Sequence, residues 1–170
     1  MKRRLPIAVA VLVCACASNR VHTDLRGVVV RIEPDSVPFV STPDVVKFTV
    51  NVIVRNDRSV PLYFGGCGTE AQQEINGKWE TVWSPACISF MGGSVAARDS
   101  VIFPFTAAAF PNQNVYPRLD PKASDGRYRL RLGTAYDRQP DMGVIRFGPP
   151  PAKPVTLGEL ISPVFFVYWP

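Results

Sequence analysis

Residues 46–55, VKFTVNVIVR, constrain the chain more than any other stretch. Val46, Phe48, Val50, Val52 and Val54 alternate with Lys47, Thr49, Asn51, Ile53 and Arg55. An apolar period of two sends successive side chains to opposite faces of an extended strand. One face is then buried and the other largely wet, as in an antiparallel sheet. The same period recurs along the chain. Val28, Val30 and Ile32 alternate with Val29, Arg31 and Glu33. Val101, Phe103 and Phe105 form another inward set, and Pro104 points to an edge or a bulge there. Tyr128, Leu130 and Leu132 alternate with Arg127, Arg129 and Arg131, and residues 163–169 close the chain with an apolar strand. Glu33-Pro34-Asp35 and Asn56-Asp57-Arg58-Ser59 read as breaks between strands. No stretch carries the 3.6-residue period of an amphipathic helix. Short strands separated by turn signals predict an all-β chain, an antiparallel β-sandwich.

Residues 60–88, VPLYFGGCGTEAQQEINGKWETVWSPACI, predict a β-hairpin. Asn76-Gly77 suits a type I′ turn, which needs positive φ at both central residues. A two-residue turn sets Ile75 opposite Lys78 and Glu74 opposite Trp79. Trp79, Thr81 and Trp83 then share one face, expected to be buried, since indole is chiefly a large apolar group. An aromatic binding platform is the sharper alternative. Cys67 precedes the hairpin and Cys87 follows it, so a Cys67–Cys87 disulfide closing its base is expected. Such a bridge stabilises by about 3 kcal/mol in the chain-entropy picture. A zinc site is the competing use of the pair. It lacks the close Cys or His partners that four-ligand zinc requires, and no metal or cofactor is expected.

The first residues read as an address. Met1-Lys2-Arg3-Arg4 is a cationic start, and residues 5–13 form an apolar core too short to span a bilayer. Val13-Cys14-Ala15-Cys16 resembles the lipobox of bacterial lipoproteins, with Cys16 as the lipidated residue behind the small Ala15. That resemblance implies a signal peptide over residues 1–15, a lipidated tether over 16–26 and a β-sandwich domain over 27–170. It implies a membrane partner through the lipid anchor, with palmitate-type acyl chains on Cys16. In lipoproteins an aspartate after the cysteine favours inner-membrane retention in some bacteria. Ala17 and Ser18 stand here, which implies the outer membrane, facing the periplasm. Ordinary cleavage after Ala17, giving a soluble secreted or periplasmic chain, remains open, because Ala15-Cys16-Ala17 also fits the A-x-A pattern. Lipidation uses the thiols completely: Cys14 leaves, Cys16 carries lipid, and Cys67 pairs with Cys87.

Nineteen Lys and Arg against 14 Asp and Glu give a net charge of +5. Lys2, Arg3 and Arg4 leave with the leader, which brings the mature chain to +2. The basic character is therefore mostly leader, and no nucleic-acid partner is expected. The Asn56-Asp57 turn, Pro61-Leu62-Tyr63, the strand from Trp79 to Trp83, Asp99-Ser100-Val101 and Gly126-x-Tyr128-x-Leu130 resemble immunoglobulin-like domains of bacterial envelope lipoproteins. More loosely they are similar to bacterial intracellular proteinase inhibitor domains. The resemblance implies an immunoglobulin-like sandwich, with Tyr128 placed for a tyrosine corner. Leu130 stands two residues after Tyr128, where an antibody-type domain carries a cysteine.

Enzyme chemistry is not expected. The one histidine, His22, falls in the predicted tether, where nothing holds an imidazole against a substrate. Asp120, Asp125, Asp137 and Asp141 lie in or near late loops that could meet at one end of a sandwich. Paired carboxylates hydrolyse glycosides or hold calcium, but no calcium-loop spacing is present and turn aspartates are common. Two features suit binding. Arg127, Arg129 and Arg131 project from one strand face and suit an anionic envelope protein or polymer, or simply a solvated sheet face. Residues 107–121, AAAFPNQNVYPRLDP, form a long connection with Phe110 and Tyr116 as apolar contacts. The expected function is non-enzymatic: binding or structural support at the cell envelope. The alternative is an inhibitor-like domain that presents the 107–121 loop to a protease.

Overall fold

β4 (Val46–Asn56) is the 11-residue strand that the period-two stretch predicts, and its inward valines and Phe48 are almost wholly buried. The computed structural model describes residues 25–65, 68–85, 92–109, 119, 125–139 and 154–170. Among these residues every regular element is a strand, and the protein is all-β. The other strands are β1 (Val28–Glu33), β2 (Ser36–Pro38), β3 (Val40–Ser41), β5 (Leu62–Gly65), β6 (Thr69–Ile75), β7 (Lys78–Trp83), β8 (Gly92–Val95), β9 (Asp99–Ala109), β10 (Gly126–Tyr136), β11 (Thr156–Ile161) and β12 (Phe165–Tyr168).

They form two sheets. In the first, β4 lies between β9 on one side and β1 with β3 on the other, all antiparallel. In the second, β10 is central. β6 and β5 flank it on one side, and β12 and β11 on the other. β7 extends the sheet beyond β6, and β8 extends it beyond β5. β2 joins the far side of β12 in parallel, so the second sheet is mixed.

The inward faces of the two sheets share one core. The Phe48 ring on β4 lies 5.5 Å from Tyr128 on β10 and 5.9 Å from Phe165 on β12, centroid to centroid. Phe64 on β5 reaches Phe103 on β9 at 6.1 Å. Each apolar side chain removed from water in this layer stabilises by about 1.5–3 kcal/mol, offset in part by lost rotamer freedom. Tyr128 is fully buried among Phe39, Phe48 and Phe165. Its hydroxyl has no hydrogen-bond partner among the described residues, and residues 120–124 just upstream, where a tyrosine corner would find one, lie outside them. Burial, helped by the charge of Asp125, raises the phenol well above the usual range.

The hairpin turn forms as expected. Asn76 and Gly77 both have positive φ (51° and 75°), Ile75 faces Lys78 and Glu74 faces Trp79. The expected shared face of Trp79, Thr81 and Trp83 does not form. Gln72 faces Thr81 while Ala71 faces Trp83, so Val82 is an extra residue on β7. Such a bulge shifts the side-chain alternation by one residue. Trp83 therefore turns inward, with its Nε1 donating to Ala108 O of β9 at 2.8 Å and its ring 5.4 Å from Phe105. Trp79 and Thr81 stay on the outer face. A second irregularity interrupts the β10–β11 ladder between Arg131 and Thr134. Gly133 lies within it at φ 86°, and a Cβ there would come within 2.8 Å of Gly65 O.

One buried polar side chain organises the end of the fold at which the described chain begins. Asn56 is fully buried. Its amide donates to Val60 O (2.9 Å), Ala96 O (3.0 Å) and Val95 O (3.3 Å), and its Oδ1 accepts from Arg58 N (3.2 Å). These bonds tie the turn after β4 to the turn between β8 and β9. Leu25 packs against the core beside them, and its carbonyl accepts from Val28 N at 3.0 Å.

Candidate binding face

Arg127, Arg129 and Arg131 all project from the outer face of β10, as the alternation predicts. The antiparallel register sets polar partners against them on β6. Arg129 faces Gln72 and Arg131 faces Glu70, and the next step of the ladder brings Arg127 to Glu74. Arg127 NH1 lies 2.8 Å from Glu74 Oε2, with 60% of the arginine side chain exposed. Arg129 Nε donates to Gln72 Oε1 at 2.8 Å, and its guanidinium carbon sits 4.4 Å from the centre of the Trp79 ring. Arg131 holds Glu159 of β11 with two hydrogen bonds, one of them Nε to Oε2 at 2.8 Å. It also reaches Glu70 Oε1 at 3.4 Å. Glu70 Oε2 in turn accepts from Thr81 Oγ1 (3.0 Å) and Gln72 Nε2 (3.3 Å).

The electrostatics follow from this pairing. The Arg131 hydrogen bonds hold the Glu159 carboxyl below its usual range, and Glu159 raises Arg131 in return. Three arginines meet three carboxylates, Glu70, Glu74 and Glu159. The row is therefore a compensated ladder and not a surplus of positive charge, which weakens its fit to a purely anionic partner.

An apolar row lies beside this ladder. Ile161 faces Arg131 and Phe166 faces Arg127 in register. Ile161 is 41% exposed, Phe166 42% and Tyr168 36%. Sequence reasoning missed this row, because residues 163–169 read as uniformly apolar. The usable signal was the alternation of Phe165 and Val167, both buried, with Phe166 and Tyr168, both exposed. Trp79, expected in the core, completes the outer surface on the opposite side of the arginines.

Of the late carboxylates, the two described ones, Asp125 and Asp137, do not meet. Asp125 precedes β10 and Asp137 follows it, so about 40 Å of strand separates them. Asp125 Oδ1 accepts from Trp169 N at 2.7 Å. Asp137 Oδ1 accepts from Val155 N at 2.8 Å and lies beside Arg138. Partial burial pushes the Asp137 carboxyl up, but the Val155 N–H and Arg138 outweigh it and leave the group below its usual range. Each aspartate secures a chain segment locally. Asp120, Asp141, His22, Cys16, Cys67, Cys87, Phe110 and Tyr116 lie outside the described residues.

No family model and no curated protein matches the sequence. Among solved structures, the chain is similar to the X-ray structure of a Northeast Structural Genomics Consortium target. The two are 8% identical with a TM-score of 0.45, over 85% of this chain and 88% of that one. It is also similar to the crystal structure of a protein from Archaeoglobus fulgidus, at 15% identity and a TM-score of 0.37, over 81% of this chain and 89% of that one.

Proposed function

We propose that this chain is a lipid-anchored, non-enzymatic binding protein of the bacterial cell envelope, built on one immunoglobulin-like β-sandwich. The strand order supports the sandwich reading. β4 stands between β1 and β9 in one sheet, and β10 stands between β6 on one side and β11 and β12 on the other in the second, an order compatible with such a sandwich. The cationic start, short apolar core and Ala15-Cys16 support export and acylation at Cys16.

The observation that carries the binding role is the outer face of the second sheet. Ile161, Phe166 and Tyr168 form an exposed apolar row against the Arg127–Arg131 ladder. Aromatic side chains beside arginines are the enriched composition of protein interfaces. The compensated charges favour an envelope protein over an anionic polymer. The test is photocrosslinking in the envelope from a photoreactive residue at position 166. A discrete protein adduct is expected, lost on Tyr168→Glu or Arg127→Glu. The same adduct from position 33, on the first sheet, counts against the face. For the anchor, the intact mass of protein extracted from membranes should equal the chain from Cys16 plus acyl groups. A chain beginning at Ser18 counts against it.

A further inference from the structure

We infer that the open edge of β1 is an interaction edge, and that its occupant is β1 of a second copy of this chain. The two strands pair antiparallel about a two-fold axis beside Ile32. The inference is independent of the anchor and of the partner read on the second sheet.

The backbone of β1 has one satisfied side and one open side. Asp57 N donates to Gly27 O at 2.7 Å, one step beyond the Val28–Asn56 pair of the β1–β4 ladder. Antiparallel ladders alternate bonded and non-bonded pairs. Val29, Arg31 and Glu33 therefore turn their N–H and C=O groups towards β4, and Val28, Val30 and Ile32 turn theirs away. Val28 N follows this alternation, donating to Leu25 O at 3.0 Å and not to β4. The outward N–H groups of Val30 and Ile32 have no partner among the described residues.

The other edge strands among the described residues are blunted by their own sequence. Pro104 sits at the middle of β9, Val82 bulges β7, and the β10–β11 ladder is irregular. β2, β3 and β8 have four residues or fewer. β1 has six residues, an unbroken ladder with β4, and neither glycine nor proline. Sheets blunt free edges with prolines, bulges, short strands and charges. Of these devices β1 carries only charges, and those charges are complementary to themselves.

The charges select the occupant. Arg31 and Glu33 are both exposed, two residues apart and so on one face of β1. Neither makes an ion pair among the described residues. A strand bearing one sign of charge would meet a like charge at one of the two positions. A second β1, antiparallel with Ile32 facing Ile32, sets Arg31 against Glu33 on both sides of the axis. Directly opposed pairs of opposite sign stabilise a sheet. In the same register the two Ile32 residues exchange N–H and C=O groups, because both turn these groups outward. The Val30 and Ile32 side chains stay on the core in this arrangement, so the strand accepts its neighbour without repacking. The contact uses the same patch on both copies and closes at two.

The test is sedimentation equilibrium of residues 16–170 with Cys16→Ser, which removes the acylation site. A monomer–dimer equilibrium is expected. Arg31→Glu or Glu33→Arg alone sets like charges against each other and should raise the dissociation constant about tenfold. Arg31→Glu with Glu33→Arg restores opposite pairs and should return it to within about twofold of the parent. Glu80→Arg, an exposed change on the second sheet, should leave it unchanged. Circular dichroism checks that each variant folds. Amide exchange at Val30 and Ile32 should slow as protein concentration rises, while Val29 and Arg31, already bonded to β4, stay constant. A chain that stays monomeric, leaving the edge to a strand of another protein, overturns the inference. So does a dimer indifferent to either single change, as one formed through the second sheet would be. Failure of the double change to restore the dimer, or exchange at Val30 and Ile32 that ignores concentration, overturns it equally.

Discussion

Trp79 and Trp83 stand four residues apart on β7 and point to opposite sides of their sheet. The extra residue Val82 separates them. Trp83 closes the core against Phe105, and Trp79 lies under the guanidinium of Arg129. One strand thus supplies an indole to the interior and another to the surface.

The two tryptophans should differ sharply in their contribution to stability. Trp83→Ala removes a core contact and the hydrogen bond to Ala108 O, and should cost about 3 kcal/mol. Trp79→Ala removes a surface cation–π contact and should cost about 1 kcal/mol. Urea unfolding of both variants, followed by circular dichroism, separates the two values. Equal losses would contradict the opposed orientation.

Asn56 should be among the costliest single positions to change. Asn56→Ala leaves Val95 O in the interior, and Val60 O and Ala96 O at its part-buried rim, without the side-chain donor that meets them. A loss of about 3 kcal/mol is expected. Hydrogen exchange should quicken first at Arg58, whose N–H bonds Asn56 Oδ1, and at Arg98, in the turn that Asn56 holds.

Two positive-φ glycines should respond differently to alanine. At Gly77 the backbone is left-handed but nothing lies within 4 Å of a new Cβ, so Gly77→Ala should cost about 1 kcal/mol. At Gly133 the same conformational penalty adds to a 2.8 Å approach to Gly65 O. Gly133→Ala should cost about 3 kcal/mol and separate β10 from β5. Thermal unfolding midpoints of the two variants rank the penalties.

Acid should weaken the Arg131–Glu159 pair. The folded carboxyl of Glu159 titrates below its unfolded value of about 4.3. Its contribution is therefore complete above about pH 5 and is lost as pH falls through the folded value. The Glu159 side chain is 44% exposed, so solvent screening limits the pair to less than about 1 kcal/mol. Glu159→Gln should lower the urea midpoint slightly at neutral pH, and the difference should shrink as pH falls through the folded carboxyl's range. A difference that stays constant until the carboxyl is fully protonated would remove the pair as the cause.

Most of the first sheet was legible in the chain, because β4 sits between two neighbours with one face buried and one wet. That arrangement imprints a strict alternation on residues 46–56. The Asn76-Gly77 turn was legible because few residue pairs accept two positive φ angles. The face assignment of Trp83 was not, since a bulge is set by how β7 meets β6 and leaves no mark in residues 78–83. β11 escaped notice because Leu157 and Gly158 are both buried, which breaks the alternation that identifies a strand. β2 and β3 are too short to show any period. The arginine row was visible, but its compensation was not. Glu70, Gln72 and Glu74 come to Arg131, Arg129 and Arg127 only through a pairing that spans nearly sixty residues.

Pro104 has a consequence for how neighbouring molecules coexist. β9 is an edge strand, pairing among the described residues with β4 alone, and its ladder runs unbroken through the Asn51–Pro104 pair. Proline supplies no N–H, so it fits where that group would have faced away from β4. An intact edge of eleven residues would be a template for the same strand of another molecule. The ring at position 104 interrupts the row of donors at its midpoint, so molecules crowded side by side do not zip into a continuous sheet.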